Sequence, residues 1–179
     1  MFSDPEKVVP YFGLVDGLAV ADFGASIGHY ALAMAKRVGD RGRVYAIDIQ
    51  KDLLSRLESE AKQAGLRNIH IIWGNVEKSG GSKLANQSVD LVVMANLLFQ
   101  STARYSLALE AKRILRPTGR VAVVDWTDSF NNLGPTAEQV AKPDEVKIIF
   151  AQAGFVFLND FPAGEHHYGL LFKHNDGLQ

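Results

Sequence analysis

The 179-residue sequence contains no cysteine, and this absence removes several kinds of chemistry at once. Disulfide bonds, thiolate metal sites and cysteine nucleophiles are all excluded for this chain. Charge of either sign is also not in excess, because 19 basic and 20 acidic residues leave a net charge of −1. Composition therefore does not indicate a nucleic-acid partner, which would favour a strongly basic surface.

Long apolar runs are missing as well. No stretch approaches the ~20 apolar residues of a membrane helix, and residues 1–7 lack the basic start and apolar core of a signal peptide. We therefore expect a cytoplasmic protein that does not span a membrane. The 47% of hydrophobic residues is ordinary for a globular domain, and we expect one domain over residues 1–179.

The most informative stretch begins with an apolar, β-favouring run at residues 18–23. It continues through the small-residue turn Gly24-Ala25-Ser26-Ile27-Gly28 into a helix that starts near Tyr30. Small residues at such a turn let a ligand approach the backbone and let helix and strand pack closely. A second apolar strand ends in Asp48, and an acid about 20 residues beyond a glycine turn commonly binds ribose hydroxyls. Together these features predict a nucleoside cofactor.

The remaining pattern alternates between strands and helices. Helices are expected at 3–13, 51–64, 101–115 and 144–153, and further strands at 69–73, 89–95, 120–125, 155–161 and 167–173. Residues 1–13 are expected to act as a short helical lid, 74–87 and 127–142 as loops, and 174–179 as a frayed tail. Such alternation predicts an α/β fold, a Rossmann-like, doubly wound and mostly parallel sheet whose closing hairpin adds one antiparallel strand.

The sequence resembles the class I S-adenosylmethionine-dependent methyltransferases, and within them the small type 11, quinone-biosynthesis-like group. Four pieces carry the resemblance over nearly the whole chain: residues 20–28, Asp48, residues 90–98 and residues 113–120. The first is similar to the family's acidic-x-Gly-x-Gly-x-Gly motif, and the last to its helix-to-strand turn. The resemblance implies seven strands in the order 3-2-1-4-5-7-6, with strand 7 antiparallel.

The resemblance also implies S-adenosylmethionine as the cofactor and a small-molecule methyl acceptor as the partner. The residues it implies for cofactor binding are Asp22, Gly24, Ala25, Ser26, Gly28, Asp48, Ile49, Asn75, Val76 and Asn96. Asp125 and His29 are the candidates for a catalytic base, should the acceptor need one. No metal site is expected, and oligomeric state is not indicated by the sequence.

Three positions depart from the family's usual pattern. Ser26 stands where the middle glycine is usual, which is tolerable if that residue keeps a negative φ. Asn75 stands where an aspartate usually accepts from the adenine amino group, and its amide oxygen can still accept. Phe99-Gln100 stand where His-His is frequent, which removes one candidate base.

Several alternatives stay open at this point. The same fold serves RNA- and protein-directed methyltransferases, and a non-catalytic S-adenosylmethionine-binding module is a different class again. A nicotinamide-binding reading is disfavoured, because the third position of G-x-G-x-x-G counted from Gly24 is His29, which would obstruct close packing. The missing cysteines are expected to exclude an arsenic methyltransferase. His166 and His167 are expected to be surface or packing residues.

Overall fold

The computed structural model describes residues 3–130 and 134–175. Parts of the sequence-based expectations lie outside the described residues, namely Met1 and Phe2 of the predicted lid, Asn131 and Asn132 of the long connection, and residues 176–179 of the tail. The strands are β1 Ala19–Phe23, β2 Arg43–Asp48, β3 Ile69–Trp73, β4 Val89–Ala95, β5 Leu115–Trp126, β6 Phe155–Pro162 and β7 His167–His174. The α-helices are α1 Pro5–Val8, α2 His29–Val38, α3 Lys51–Gln63, α4 Arg104–Ile114 and α5 Pro143–Gln152, and Val9–Phe12 and Leu98–Gln100 are 3₁₀ turns.

The strands form one sheet in the order β3-β2-β1-β4-β5-β7-β6. Pairs from β3 through β5 are parallel, whereas β7 is antiparallel to both β5 and β6. The expected fold class and strand order are therefore confirmed. The carboxyl ends of β1, β2, β4 and β5 share one edge, which is where ligands bind in open α/β sheets.

Helices cover both faces of the sheet. On one face, α2 and α3 pack with the N-terminal segment around buried side chains such as Phe12, Met34 and Leu57. On the other face, α4 and α5 contribute Leu107 and Phe150 to a second core. Both faces of the central strands are thus buried, and this explains why those strands are continuously apolar in sequence. Within the described residues, none of the helices combines the length and the apolar character needed to span a bilayer.

Two boundaries differ from the sequence-based expectation. The strand expected at 120–125 begins at Leu115, which pairs with Val89 before a register shift brings Arg120 opposite Leu91. Residues 116–119 therefore bulge out of the pairing between β4 and β5. The segment at Pro117, which was expected to end the helix in a turn, forms this irregularity within the strand instead. The helix expected at 101–115 spans Arg104–Ile114, because the preceding residues form the separate 3₁₀ turn.

Candidate functional site

The turn after β1 is held in an unusual backbone conformation. Gly24 and Gly28 have φ of 72° and 88°, and Ser26 has φ of 52°. The tolerance expected for Ser26 assumed a negative φ, and that assumption was wrong. In this left-handed conformation, the backbone N–H of Ser26 donates to Oδ2 of Asp48 at 2.9 Å. A side chain at Gly28 would overlap Leu57 of α3, so only glycine lets these elements pack so closely.

Asp48 lies at the carboxyl end of β2 and is nearly buried. Its Oδ2 accepts from Ser26, and its Oδ1 accepts from the backbone N–H of Gln50 at 2.8 Å. An ionised carboxylate offers about four lone-pair sites, so each oxygen retains the capacity for one further donor. This geometry fits the expected binding of two ribose hydroxyls.

A first cavity of about 250 Å³ opens beside Asp48. Its walls contain seven of the residues expected to bind the cofactor: Gly24, Ser26, Asp48, Ile49, Asn75, Val76 and Asn96. The Oδ1 atom of Asn75 already accepts the backbone N–H of Glu77 at 3.0 Å, so one lone pair remains for an adenine amino group. The acceptor atoms of Asp48 and Asn75 in the walls of this cavity suit a nucleoside.

A second cavity of about 230 Å³ adjoins the first, and the two share Gly24, Ser26, Asn96 and Gln100 in their walls. It brings together the expected residues Asp22, Ala25, Gly28 and His29 with others that sequence reasoning missed, namely Ser3, Pro5, Ile27, Tyr30, Ala95 and Gln100. The hydroxyl groups of Ser3 and Tyr30, which both line this cavity, form a hydrogen bond with each other. The N-terminal segment therefore forms part of the wall.

Asp22 is the most unusual group in the second cavity. The residue is 2% exposed, and its Oδ2 has no hydrogen-bond partner among the described residues. Burial, and secondarily the negative charge of Asp48, raises the pKa of Asp22 to about 8. The backbone N–H of Ala31 lowers this pKa by a hydrogen bond, but a buried carboxylate oxygen without a partner is unfavourable, so the site favours a cationic ligand group that donates hydrogen bonds. The ammonium end of S-adenosylmethionine has this character.

Asp125 does not line either cavity. It is fully buried, with Oδ2 accepting the backbone N–H of Leu98 at 2.8 Å and Oδ1 accepting that of Trp126 at 2.8 Å. Burial raises the pKa of Asp125 to about 6, although these hydrogen bonds and Arg104 oppose the shift. The geometry favours a role in holding the Leu98–Gln100 turn over the base role expected from sequence. His29, in contrast, is exposed at the rim of the second cavity, and its role as a base stays a prediction.

Asn96 lies where the two cavities meet, at the carboxyl end of β4. Its φ of 54° matches the turn-forming role that asparagine favours. Its Oδ1 lies 2.9 Å from Nε2 of His167, whose ring is 4.4 Å from that of Trp126. Burial, and secondarily His166, lowers the pKa of His167 to about 4, so the imidazole is neutral and donates from Nε2. His167 is thus a packing residue. From the sequence, it could have been connected with Asn96 only by predicting that it lies opposite Trp126 in the sheet.

Within residues 3–130 and 134–175, no group of three or more acidic or histidine side chains is arranged to hold a metal ion. The fold and the paired cavities instead define an α/β protein that binds a nucleoside-containing cofactor at the carboxyl edge of its sheet.

Comparison with known proteins gives the family. Residues 14–154 match the family described as "Methyltransferase domain". A solved S-adenosylmethionine-dependent methyltransferase from Aquifex aeolicus is 30% identical, with a TM-score of 0.86, and the match covers 96% of this chain and 89% of that one. The chain therefore belongs to the S-adenosylmethionine-dependent methyltransferases, as the sequence resemblance indicated, and S-adenosylmethionine is its cofactor.

Curated relatives are more distant. An arsenite methyltransferase of Aquipseudomonas alcaligenes is 28% identical over 88% of this chain and 47% of its own length. A 2-phytyl-1,4-naphtoquinone methyltransferase of Trichormus variabilis is 28% identical over 75% of this chain and 58% of its own length. The chain thus spans about half the length of the curated relatives it matches.

Proposed function

We propose that this chain transfers the methyl group of S-adenosylmethionine to a small-molecule acceptor. The observation that carries the proposal is the pair of adjoining cavities, with Asp48 in one and the unpaired Asp22 oxygen in the other. In this assignment, adenosine occupies the first cavity and the methionine end occupies the second. The methyl-bearing sulfur then lies near the shared wall formed by Gly24, Ser26 and Asn96.

The bound cofactor supplies an activated methyl group on a sulfonium centre, and the protein's contribution is binding and orientation. Asp48 accepts from the ribose, and Asp22 accepts from the amino-acid end. The turn at 24–28 has the small side chains and positive φ values that allow a close approach. The N-terminal residues Ser3 and Pro5 form part of the wall of the second cavity.

We propose a small-molecule acceptor because of the acceptors that the names of the relatives state. The names of matched relatives point to arsenite and to naphthoquinones. This chain has no cysteine to supply the soft thiolate ligands that arsenic favours, so we favour an organic acceptor. A net charge of −1 gives no general attraction for nucleic acid, and no structural observation favours an RNA- or protein-directed enzyme.

Calorimetry with S-adenosylmethionine, its demethylated product, NAD and NADP tests the cofactor assignment. We expect the first two to bind and the dinucleotides to bind far more weakly. Tighter binding of a dinucleotide would overturn the proposal. Cofactor binding without turnover on a broad panel of acceptors would favour the non-catalytic module instead.

The variant Asp48→Asn tests the ribose contact. Asparagine has one acceptor oxygen where aspartate has two, and the loss of one charge-assisted hydrogen bond of about 1.5–3 kcal/mol weakens cofactor binding by roughly 10- to 150-fold. Asp48→Ala should weaken it at least as much, and melting without cofactor reports any damage to the turn. Affinities within a factor of about two of the wild type would show that Asp48 does not bind the ribose, because such a difference is smaller than the contribution of a typical hydrogen bond.

A further inference from the structure

The sheet has two edge strands, and they differ in how they are protected. The edge strand β6 has a register shift between Phe157 and Asn159, and Asp160 and Pro162 follow in the same strand. Bulges, charged residues and proline are features by which proteins prevent an edge from pairing with another chain. The opposite edge strand, β3, pairs with β2 in regular register and contains no proline, lysine, arginine, aspartate or glutamate. The edge of β3 is therefore open to a further strand.

The backbone groups that β3 directs outward follow from its hydrogen bonds to β2. The carbonyl of Asn68, just before β3, and the N–H of Gly74, just after it, both bond to β2, at 2.8 and 3.1 Å. Because the backbone groups of successive residues point to alternate edges of a strand, the odd-numbered residues of β3 direct their N–H and C=O groups away from β2. These residues are Ile69, Ile71 and Trp73. Within the described residues, their outward groups have no hydrogen-bond partner.

This row of backbone groups is complementary to a second copy of itself. In an antiparallel pair, two residues that exchange both hydrogen bonds stand directly opposite each other. A two-fold axis at Ile71 places Ile71 opposite its own copy and Ile69 opposite Trp73, so every outward group gains a partner. A shift of this register by two residues leaves one of the three unpaired. A two-fold axis is also the commonest symmetry of protein dimers.

Trp73 is a large aromatic side chain held in place on this edge. It is 52% exposed, and its indole N–H donates to the carbonyl of Ile49 at 3.0 Å. The ammonium group of Lys51 lies 3.9 Å from the centre of its ring. A side chain that is already fixed loses little conformational entropy when a partner covers it. Tryptophan is also enriched at protein interfaces.

The other end of β3 has a groove that can receive this ring. The groove has a volume of about 460 Å³, and Ala61 and Leu66 belong to its walls together with Ile69. Ile69 lies on the face of the sheet that α3 covers, and Trp73 lies on the same face, because side chains alternate along a strand and Lys51 of α3 contacts its ring. Residues that stand opposite each other in an antiparallel pair share a face. Trp73 of a second copy therefore lies over Ile69, at the groove.

Charged side chains around the groove suit this contact. Glu58, Lys62 and Arg67 belong to its walls. Glu58 pairs with Lys62 at 3.0 Å on an exposed surface, so this carboxylate can bind a second cation at little cost. Lys51 comes with Trp73 of the second copy and supplies that cation. The guanidinium group of Arg67 can stack on the open face of the indole.

We propose that two copies of this chain associate by antiparallel pairing of their β3 strands, with Trp73 of each copy in the groove of the other. The pairing joins the two sheets into one continuous sheet. The residues of β3 and of the groove amount to about half of the roughly 20–30 residues that each side contributes to a standard interface. The dimer is therefore weak, with an expected Kd of about 10–100 µM.

Sedimentation equilibrium of the full chain between about 1 and 500 µM tests the association. The average mass should rise with concentration from 19.6 kDa towards twice that value. Trp73→Ala should raise the Kd by about tenfold or more, because both copies lose the ring. Tyr105→Ala, which removes an exposed aromatic side chain from α4, is the matched control and should leave the Kd unchanged.

The absence of cysteine allows the register to be tested directly. Ile71→Cys introduces one thiol per chain at the two-fold axis, where opposite Cα atoms are about 5.5 Å apart, within the range that a disulfide can bridge. Mild oxidation should then produce a covalent dimer. Leu158→Cys, on the exposed edge strand β6, is the control and should remain monomeric under the same conditions.

Three results would each overturn the proposal. The first is a wild type that stays monomeric over the whole concentration range. The second is a Kd of Trp73→Ala within threefold of the wild-type value. The third is a rate of cross-linking of Ile71→Cys no higher than that of Leu158→Cys. If Ile71→Cys does not fold, the double variant His70→Cys, Ile72→Cys replaces it, because these two positions stand opposite each other in the same register.

Discussion

At the scale of single residues, the protonation of Asp22 couples stability to pH. Its pKa is about 8 in the folded protein, raised by burial and by Asp48, against about 3.9 in an unfolded chain. The folded state therefore holds a proton that the unfolded state has released. The stability from neutral Asp22 is fully present below the unfolded pKa and is lost as pH rises through the folded pKa.

We therefore expect Asp22→Asn to flatten this dependence. Without cofactor, the melting temperature of the wild type should fall relative to that of Asp22→Asn as pH rises from about 4 to about 8, because asparagine has no proton to lose. Thermal melts of both proteins across that range provide the measurement. Parallel curves for the two proteins would show that Asp22 is already ionised in the folded state.

Gly24 and Gly65 form a matched pair for separating backbone strain from function. Both have positive φ, 72° and 70°, but a Cβ at Gly24 would lie 2.9 Å from Cδ1 of Leu97, whereas one at Gly65 would meet nothing within 4 Å. Each change to alanine should destabilise the fold by about 1–2 kcal/mol. Only Gly24→Ala should also weaken cofactor binding, by about tenfold, because Leu97 is displaced into the first cavity. Equal affinity in both variants would make the turn purely structural.

Sequence reasoning anticipated the position of a residue where chemistry and place in the chain agree. The place of Asp48 in the wall of the first cavity could be predicted, because an acid that ends a strand beyond a glycine turn lies at the carboxyl edge of the sheet. The left-handed backbone of Ser26 could not, because it depends on a hydrogen bond that its N–H donates to Asp48, 22 positions away. The burial of Asp125 likewise depends on Leu98 and Phe99, whose backbone N–H groups turn toward it only in the folded chain.

At the scale of elements, the loop from Gly74 to Gln87 is fixed by one buried side chain. Glu110 of α4 accepts the backbone N–H groups of Gly80 at 2.9 Å and Ser82 at 3.0 Å, and it pairs with Arg113 at 2.7 Å. The same loop carries Asn75, whose segment lines the first cavity. A helix on one face of the sheet thereby positions a ligand loop at its edge.

Glu110→Ala should therefore affect both stability and binding. Removing one partner of a buried, hydrogen-bonded pair lowers the free energy of unfolding by about 3–5 kcal/mol, and the loosened loop should weaken cofactor binding. Glu58→Ala, which breaks an exposed pair with Lys62, is the control and should cost about 0–1 kcal/mol. Urea unfolding and calorimetry measure the two effects. A similar loss in both variants would show that Glu110 does not anchor the loop.

Element positions were more predictable than element boundaries. The helix at Lys51–Gln63 follows from its apolar face and from the glycine that ends it, both of which are local signals. The start of β5 at Leu115 is not local. This start results from the pairing of Leu115 with Val89 across the sheet, whereas the Pro117 and Gly119 that follow are typical of a turn in the sequence.

At the scale of the whole molecule, the N-terminal segment is divided between core and site. Phe12 is fully buried and stacks on Tyr30 at 6.1 Å, whereas Ser3 and Pro5 line the second cavity. The predicted lid over residues 1–13 is therefore tied down at its C-terminal half.

We expect hydrogen exchange to reveal this division. Binding of the demethylated cofactor should slow exchange at residues 3–8, because the ligand fills the cavity that this part covers. Exchange at 9–13 should be slow with or without ligand. Strong and equal protection throughout 3–13 in both states would instead mean a fixed core segment.

The strand order also has a consequence for the chain during its synthesis. The interior strand β1 pairs with β4 through contacts such as Val20 with Leu91, 71 positions later (91 − 20). At about 5–20 residues per second, β4 leaves the ribosome roughly 4–14 s after β1. During that interval, the backbone groups along one edge of β1 lack the native partner β4. Other strands can add to such an open edge. The nascent chain is therefore most exposed to misassociation before residue 95 has emerged.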